Sequence, residues 1–164
     1  MKRRQVMLAL GSLPMYPLLT LRVFAQEKTT AAGREKLRLS ETAWRKRLTP
    51  AQFHILREEG TEPAWSSPLL KEHRKGTYVC VACDHPLFRS ATKYDSGTGW
   101  PSFYAALEGA FETQLDFKLI WPRTEYHCAR CGGHHGHLFD DGPAPTGKRY
   151  CNNGIALRFI PDSG

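Results

Sequence analysis

Five cysteines carry the first chemical signal. Cys80-Val81-Ala82-Cys83 and Cys128-Ala129-Arg130-Cys131 are two Cys-x-x-Cys pairs. Each two-residue spacer lets both sulfurs of a pair face one ion, and together the pairs supply the four thiolates that close a tetrahedral zinc shell. Turn-forming residues follow each pair, Asp84-His85-Pro86 after the first and Gly132-Gly133 after the second, as in zinc knuckles. A shell made of Cys80, Cys83, Cys128 and Cys131 keeps no open coordination position, so one structural Zn2+ per chain is expected and zinc-assisted hydrolysis is disfavoured. The rival is redox chemistry, because Cys-x-x-Cys is also a thioredoxin-like pair. That motif opens a helix beside a βαβ unit, whereas both pairs here follow strand-like text.

Subtracting those four isolates Cys151, in Gly147-Lys148-Arg149-Tyr150-Cys151-Asn152-Asn153-Gly154. Lys148 and Arg149 would favour the thiolate, the nucleophilic form. The alternative is a buried structural thiol. Gly97-Thr98-Gly99-Trp100-Pro101-Ser102-Phe103 is an aromatic loop between glycines, either simple packing or one wall of an apolar pocket. His134-His135-Gly136-His137 brings three imidazoles together; beside a reactive cysteine, a histidine can move protons near neutral pH. Asp140-Asp141-Gly142-Pro143 reads first as a turn.

The elements that must hold these residues are short. Ser40 to Arg47 suits a brief helix. Thr49-Pro50-Ala51-Gln52 is a strong helix start, with a capping threonine, proline in the first turn and a glutamine three residues on; Gly60 is the expected stop. From Gly76 onward, Thr77–Val81, Ala110–Thr113, Lys118–Trp121 and Ile155–Phe159 are β-prone and separated by Pro, Gly and Asp turns. The expected fold is mainly β, two antiparallel sheets with a four-cysteine zinc knuckle and one or two N-terminal helices.

The chain has 164 residues, 41% hydrophobic and 24% charged, which excludes disorder as the main state and a polytopic membrane protein. The net charge of +7 is unevenly placed. Residues 1–48 hold 11 Lys+Arg and 3 Asp+Glu, a net of +8, and residues 49–164 hold 12 and 13, a net of −1. The body lacks the excess positive charge of a phosphate-binding face, so no nucleic-acid partner is expected. Residues 1–25 read as an export signal: Lys2, Arg3 and Arg4 precede a broken apolar stretch that ends at Val23-Phe24-Ala25, and the adjacent arginines suggest the twin-arginine route. An exported, periplasmic protein is therefore expected. The alternative is an uncleaved leader that anchors the protein facing the periplasm, the sole expected membrane contact. Residues 26–43 form a polar linker, 44–160 the folded domain and 161–164 a tail.

Taken together, the two Cys-x-x-Cys pairs, Gly99-Trp100-Pro101-Ser102-Phe103, Cys131-Gly132-Gly133-His134-His135-Gly136-His137-Leu138-Phe139, Asp141-Gly142-Pro143 and Thr146–Asn153 resemble the methionine sulfoxide reductases of the B type, over roughly residues 44–160. The resemblance implies thiol-dependent reduction of methionine R-sulfoxide in oxidised proteins. Cys151 matches the catalytic cysteine, which would be left as a sulfenic acid. His137 matches the residue that delivers or relays a proton. His134 and Asn153 match polar residues that hold substrate and water. Trp100 matches the aromatic wall for the substrate methyl group, with Phe103 beside it. Asp141 and Arg149 match a charged pair near the nucleophile.

Three positions depart from the pattern. Thr98 stands where many members carry the cysteine that resolves the sulfenic acid, so an external reductant is expected, a thioredoxin-like protein or a small thiol. His135 replaces an apolar residue, and is expected to be exposed or to add a polar edge to the site. Asn152 also sits where an apolar residue is usual, and Asn153-Gly154 can be read as a turn. Two other functions share some of these residues: a non-catalytic zinc-knuckle module that binds proteins, and a hydrolase using Cys151 and His137 that would be insensitive to thiols.

Overall fold

The structure is a computed structural model that describes residues 35–117 and 122–163. The leader and the first half of the polar linker lie outside the described residues, as does the strand expected at Lys118–Trp121. Among the described residues no helix is long and apolar enough to cross a membrane.

Two short helices come first. Helix α1 (Glu41–Arg47) starts at Ser40, whose hydroxyl accepts from the Ala43 amide. Helix α2 (Pro50–Glu58) carries the expected capping box: Thr49 accepts from the Gln52 amide while the Gln52 side chain accepts from the Thr49 amide. The stop comes one residue earlier than expected. Glu59, not Gly60, takes the left-handed conformation and closes the helix. Phe53, Ile55 and Leu56 are buried, and α2 packs onto the segment after the second cysteine pair, where a Cβ on Gly133 would lie 2.8 Å from Leu56.

Among the described residues nine strands follow in two antiparallel sheets, as the sequence predicts. The smaller sheet has the order β2 (Pro86–Arg89), β1 (Gly76–Cys80), β9 (Leu157–Pro161). The larger runs β3 (Lys93–Tyr94), β4 (Ser102–Phe103), β8 (Arg149–Asn152), β7 (His134–Phe139), β6 (Arg123–Cys128), β5 (Phe111–Asp116). The expected strand at Ile155–Phe159 begins later, because Gly154–Ala156 forms a 3-10 turn first.

An aromatic layer glues the sheets together. Tyr78 and Phe88 of the smaller sheet meet Phe103, Phe111 and Tyr150 of the larger, and Tyr126 extends the layer. Phe88 stacks on Phe103 at 4.0 Å, Tyr78 meets Phe103 edge-on at 5.0 Å, and Phe111 meets Tyr126 at 4.6 Å. Such ring pairs add directional attraction to their burial. Since side chains alternate along a strand, the opposite face of the larger sheet is left for other residues.

Candidate active site and metal centre

The four paired cysteines converge. Cys80 ends β1 and Cys128 ends β6, and each is followed by a tight turn in which the residue four positions on is left-handed, Asp84 in one and Gly132 in the other. The amide of that residue donates back to the first cysteine's carbonyl at 2.8 Å in both turns. All four sulfurs lie within 4.8 Å of one another, with Cys80–Cys131 at 3.7 Å and Cys83–Cys128 at 3.6 Å. A tetrahedron with Zn–S near 2.3 Å has edges of about 3.8 Å. The sulfurs are buried and far beyond disulfide distance, so this cluster fits zinc, which would tie the two knuckles together. Three arginines donate to the knuckle carbonyls: Arg47 to Ala82, Arg57 to Cys131 and Arg130 to Cys83.

The face of the larger sheet opposite the aromatic layer carries a row of aligned residues. Tyr94 pairs with Ser102, Ser102 with Cys151, Cys151 with His137, His137 with Glu125 and Glu125 with Gln114. The row places Cys151 and His137 side by side on neighbouring strands. Plain alternation would put His134 and His137, three residues apart, on opposite faces. A bulge removes that conflict: Tyr126 pairs with Gly136 and His127 with His134, so His135 is the extra residue. Gly136 makes this possible, since a Cβ there would lie 1.9 Å from the Cys151 carbonyl oxygen.

The bulge also corrects the expectation for His135. It is fully buried on the core side, edge-on to Phe111 at 5.6 Å, and burial pushes its pKa down to about 3. Asn152, the other departure, is buried too, accepting from the Tyr126 hydroxyl at 3.0 Å and donating to the Asn153 carbonyl at 2.7 Å.

A cavity of about 290 Å³ opens over Cys151, lined by Thr98, Trp100, His137, Phe139, Arg149 and Asn153 among others. It is at the small end of ligand pockets. A larger cleft of about 960 Å³ begins at the other side of Trp100, between Trp65, Leu70, Lys93 and Tyr94, and is lined by no cysteine.

Around the cavity most expected residues meet. Burial pushes the Cys151 thiol up, contrary to the simple expectation of a favoured thiolate; the Arg149 guanidinium and the Thr98 hydroxyl pull it back only in part. Arg149 is held by two bonds to Asp141, Nε to Oδ1 at 2.7 Å and Nη2 to Oδ2 at 2.8 Å, and its guanidinium lies 4.2 Å from the Phe139 ring centre. Asp141 itself is 59% exposed, behind Arg149. Asn153 is not a hairpin turn residue. Its side chain accepts from the Glu62 amide at 3.0 Å and donates to the His135 carbonyl at 3.1 Å.

Two expected residues lie elsewhere. Phe103 is wholly buried in the aromatic layer, because its neighbour Ser102 takes the site face; Phe139 supplies the second ring of the cavity instead. His134 is 1% exposed and stands behind His137, with ring centres 5.5 Å apart, outside the cavity lining.

Sequence reading missed the residues behind these. Asp116 accepts from Arg123 at 2.7 Å and bonds His137 Nε2 at 2.9 Å. Burial lowers the pKa of His137, Asp116 raises it and Arg123 lowers it, with a net downward direction. The ring is therefore neutral near pH 7, its Nε2–H donating to Asp116 and Nδ1 left as a base. Glu62, also buried, accepts from the Gly154 and Ile155 amides at 2.5 and 3.0 Å, while its carbonyl accepts from Trp100 Nε1 at 3.0 Å. Each is a lone charged residue in sequence, and only strand register or loop closure reveals its partner.

The SelR domain family matches residues 48–161. A peptide methionine sulfoxide reductase MsrB of Leptospira interrogans is 53% identical over 121 residues, covering 73% of this chain and 92% of that protein. The corresponding protein of Agrobacterium fabrum is 50% identical over 127 residues, covering 77% and 94%. A chloroplastic B1 protein of Arabidopsis thaliana is 53% identical over 122 residues, and the chain spans 60% of its length. With the family match covering the whole two-sheet body and its Cys151-bearing cavity, this chain belongs to the SelR-domain family, the methionine sulfoxide reductases of the B type.

Proposed function

We propose that this protein reduces methionine R-sulfoxide in oxidised proteins, with Cys151 as nucleophile. The observation that carries the reading is the alignment of Cys151 with His137 beneath a small cavity walled by Trp100 and Phe139. The sulfoxide side chain enters with its methyl group against Trp100. The larger cleft beyond Trp100 leaves room for the polypeptide that bears it.

Because the resting thiol is protonated, attack needs its proton removed. His137 Nδ1 accepts that proton, and Arg149 and Thr98 favour the sulfur anion. The sulfur attacks the sulfoxide sulfur, His137 returns the proton to the sulfoxide oxygen as the bond to oxygen breaks and hydroxide departs, and that hydroxide then attacks the Cys151 sulfur, breaking the new sulfur–sulfur bond and releasing methionine. The net step converts thiol and sulfoxide into sulfenic acid and thioether, with no other reactant. Asn153 lines the wall, and His134 acts through His137 rather than by touching substrate. Thr98 cannot resolve the sulfenic acid, so two external thiols, of a thioredoxin-like protein or a small molecule, restore Cys151 as a disulfide and water form. Zinc held by Cys80, Cys83, Cys128 and Cys131 contributes structure alone. An exported location, read from residues 1–25, requires a reductant outside the cytoplasm.

The test is epimer-resolved turnover of a blocked methionine sulfoxide with excess dithiothreitol, using the full chain and its Cys151→Ser variant. Loss of the R epimer with the parent alone is expected. No loss with the folded, zinc-loaded parent would instead favour a zinc-knuckle binding module.

A further inference from the structure

On the same face of the larger sheet, one step from the cavity, lies a cluster of which the proposed reductase chemistry uses His134 alone, and that through His137. Glu125 and His127 are two residues apart on β6 and so project together, away from the core face that Tyr126 and Cys128 share. The bulge brings His134 opposite His127. One ligand atom from each of Glu125, His127 and His134 lies within 4.8 Å of the others. His127 Nε2 is 2.7 Å from Glu125 Oε1, and His134 Nδ1 is 3.6 Å from Glu125 Oε2. Their side chains are 15%, 4% and 1% exposed for His127, Glu125 and His134. His134 is the telling member. Both of its ring nitrogens are buried without a hydrogen-bond partner, although a buried polar group normally has one, and Nδ1 points at the Glu125 carboxylate. A second set, Asp116, Glu125 and His137, has the same spacing and shares Glu125, so further donors adjoin the first.

We infer that Glu125, His127 and His134 form a second metal site, for a divalent transition cation such as Zn2+ or Co2+. Two imidazoles and one carboxylate match the ligand preference of these ions, whereas Ca2+ and Mg2+ favour oxygen alone. Three protein ligands leave a coordination position open, unlike the closed four-cysteine shell. Binding gives His134 Nδ1 the partner it lacks, and draws His127 Nε2 from a hydrogen bond to the carboxylate into a shared shell around the ion. It also fixes His134, which packs against His137, and places a dication beside the proton-transfer histidine. Occupancy therefore slows the reaction. That consequence rests on the reductase reading, whereas the binding does not.

The experiment uses the full chain with its four-cysteine site already filled by zinc. Co2+ is added while absorption and heat are recorded. One further equivalent is expected, with weak ligand-field bands and no sulfur-to-cobalt charge transfer. His127→Gln and Glu125→Gln are both expected to lose this equivalent, and His127→Gln to keep the parent's fold and cobalt-free turnover. Turnover is measured as the single methionine released per reduced chain without added thiol, since dithiothreitol would sequester cobalt. Cobalt should slow this burst several-fold in the parent and leave His127→Gln unaffected. Absence of a further equivalent, a charge-transfer band, or a full equivalent retained by His127→Gln would overturn the site. Binding without slowing would overturn its effect on catalysis. An inactive cobalt-free parent that still binds the equivalent would count against the reductase reading alone.

Discussion

Cys151 and His137 are direct register partners on β8 and β7, and the Asp116 carboxylate on β5, two strands beyond His137, bonds the far side of its ring. The residues proposed as nucleophile, proton carrier and tautomer-fixing group thus lie on one sheet rather than on loops. A bulge of one residue decides this arrangement, because it turns His135 inward and lets His134 and His137 share a face.

Asp116 acts through His137. Replacing Asp116 with Asn removes the charge and turns an acceptor-only carboxylate into an amide that can accept from or donate to Nε2, which frees the ring to adopt the other tautomer. The expected outcome is a fall in kcat of about tenfold or more with KM little changed, against about 10²–10⁴-fold for His137→Gln. Because Asp116 raises the His137 pKa, Asp116→Asn should also move that residue's titration, followed by NMR, to lower pH.

The pH dependence follows from Cys151. Burial pushes its thiol above the ordinary range near 8.5, so reactivity should rise with pH through and beyond that value. Arg149 offsets burial; its removal in Arg149→Gln raises the thiol further and shifts the rising limb to higher pH. At neutral pH the alkylation rate of Cys151 should drop about tenfold for each pH unit the limb moves. An unchanged limb in that variant would mean that Arg149 serves only to hold Asp141 and Phe139.

Thr98 is near enough to Cys151 for its hydroxyl to favour the thiolate, and both line the cavity. It is tied in place through Ser96, whose hydroxyl lies 2.8 Å from that of Thr98 and 2.7 Å from that of Ser102. Thr98→Cys should therefore form a disulfide with Cys151 after one equivalent of sulfoxide, detected as loss of two hydrogens by mass spectrometry. Thr98→Val should form none and should alkylate more slowly at neutral pH. A persistent sulfenic acid in Thr98→Cys would show the loop to be too rigid for the two sulfurs to meet.

The chemistry was more legible in the sequence than the sheet that carries it. Cysteine spacing isolates Cys151 because four thiols at two-residue spacing leave one over. The capping box of α2 reads directly because its bonds are local. Strands β6 to β8 give a weak signal, since they are rich in Arg, Glu, His, Asn and Gly and poor in the β-branched residues that mark strands. Phe103 and His135 were misplaced for a related reason. The face of each depends on parity relative to a partner strand and, for His135, on a bulge that Gly136 permits. Asp116 and Glu62 find their partners only through tertiary register and leave no local pattern.

Glu62 gives the last prediction. Its carboxylate accepts from the amides of Gly154 and Ile155, just after the strand that carries Cys151, and its carbonyl accepts from the Trp100 indole. The Glu62 amide in turn donates to Asn153, so one buried residue fastens two walls of the cavity. Glu62→Ala keeps the backbone bonds to Trp100 and Asn153 but orphans the two amides, each costing roughly 1–3 kcal/mol. A lowered Tm is expected, together with a rise in KM, because the turn that holds Asn153 loosens while Cys151 and His137 stay aligned on their strands. Glu62→Gln, which keeps one oxygen acceptor, should recover part of the lost stability. Thermal unfolding and steady-state kinetics on both variants test this, and a fall in kcat with KM and Tm unchanged would instead place Glu62 in the proton transfer itself.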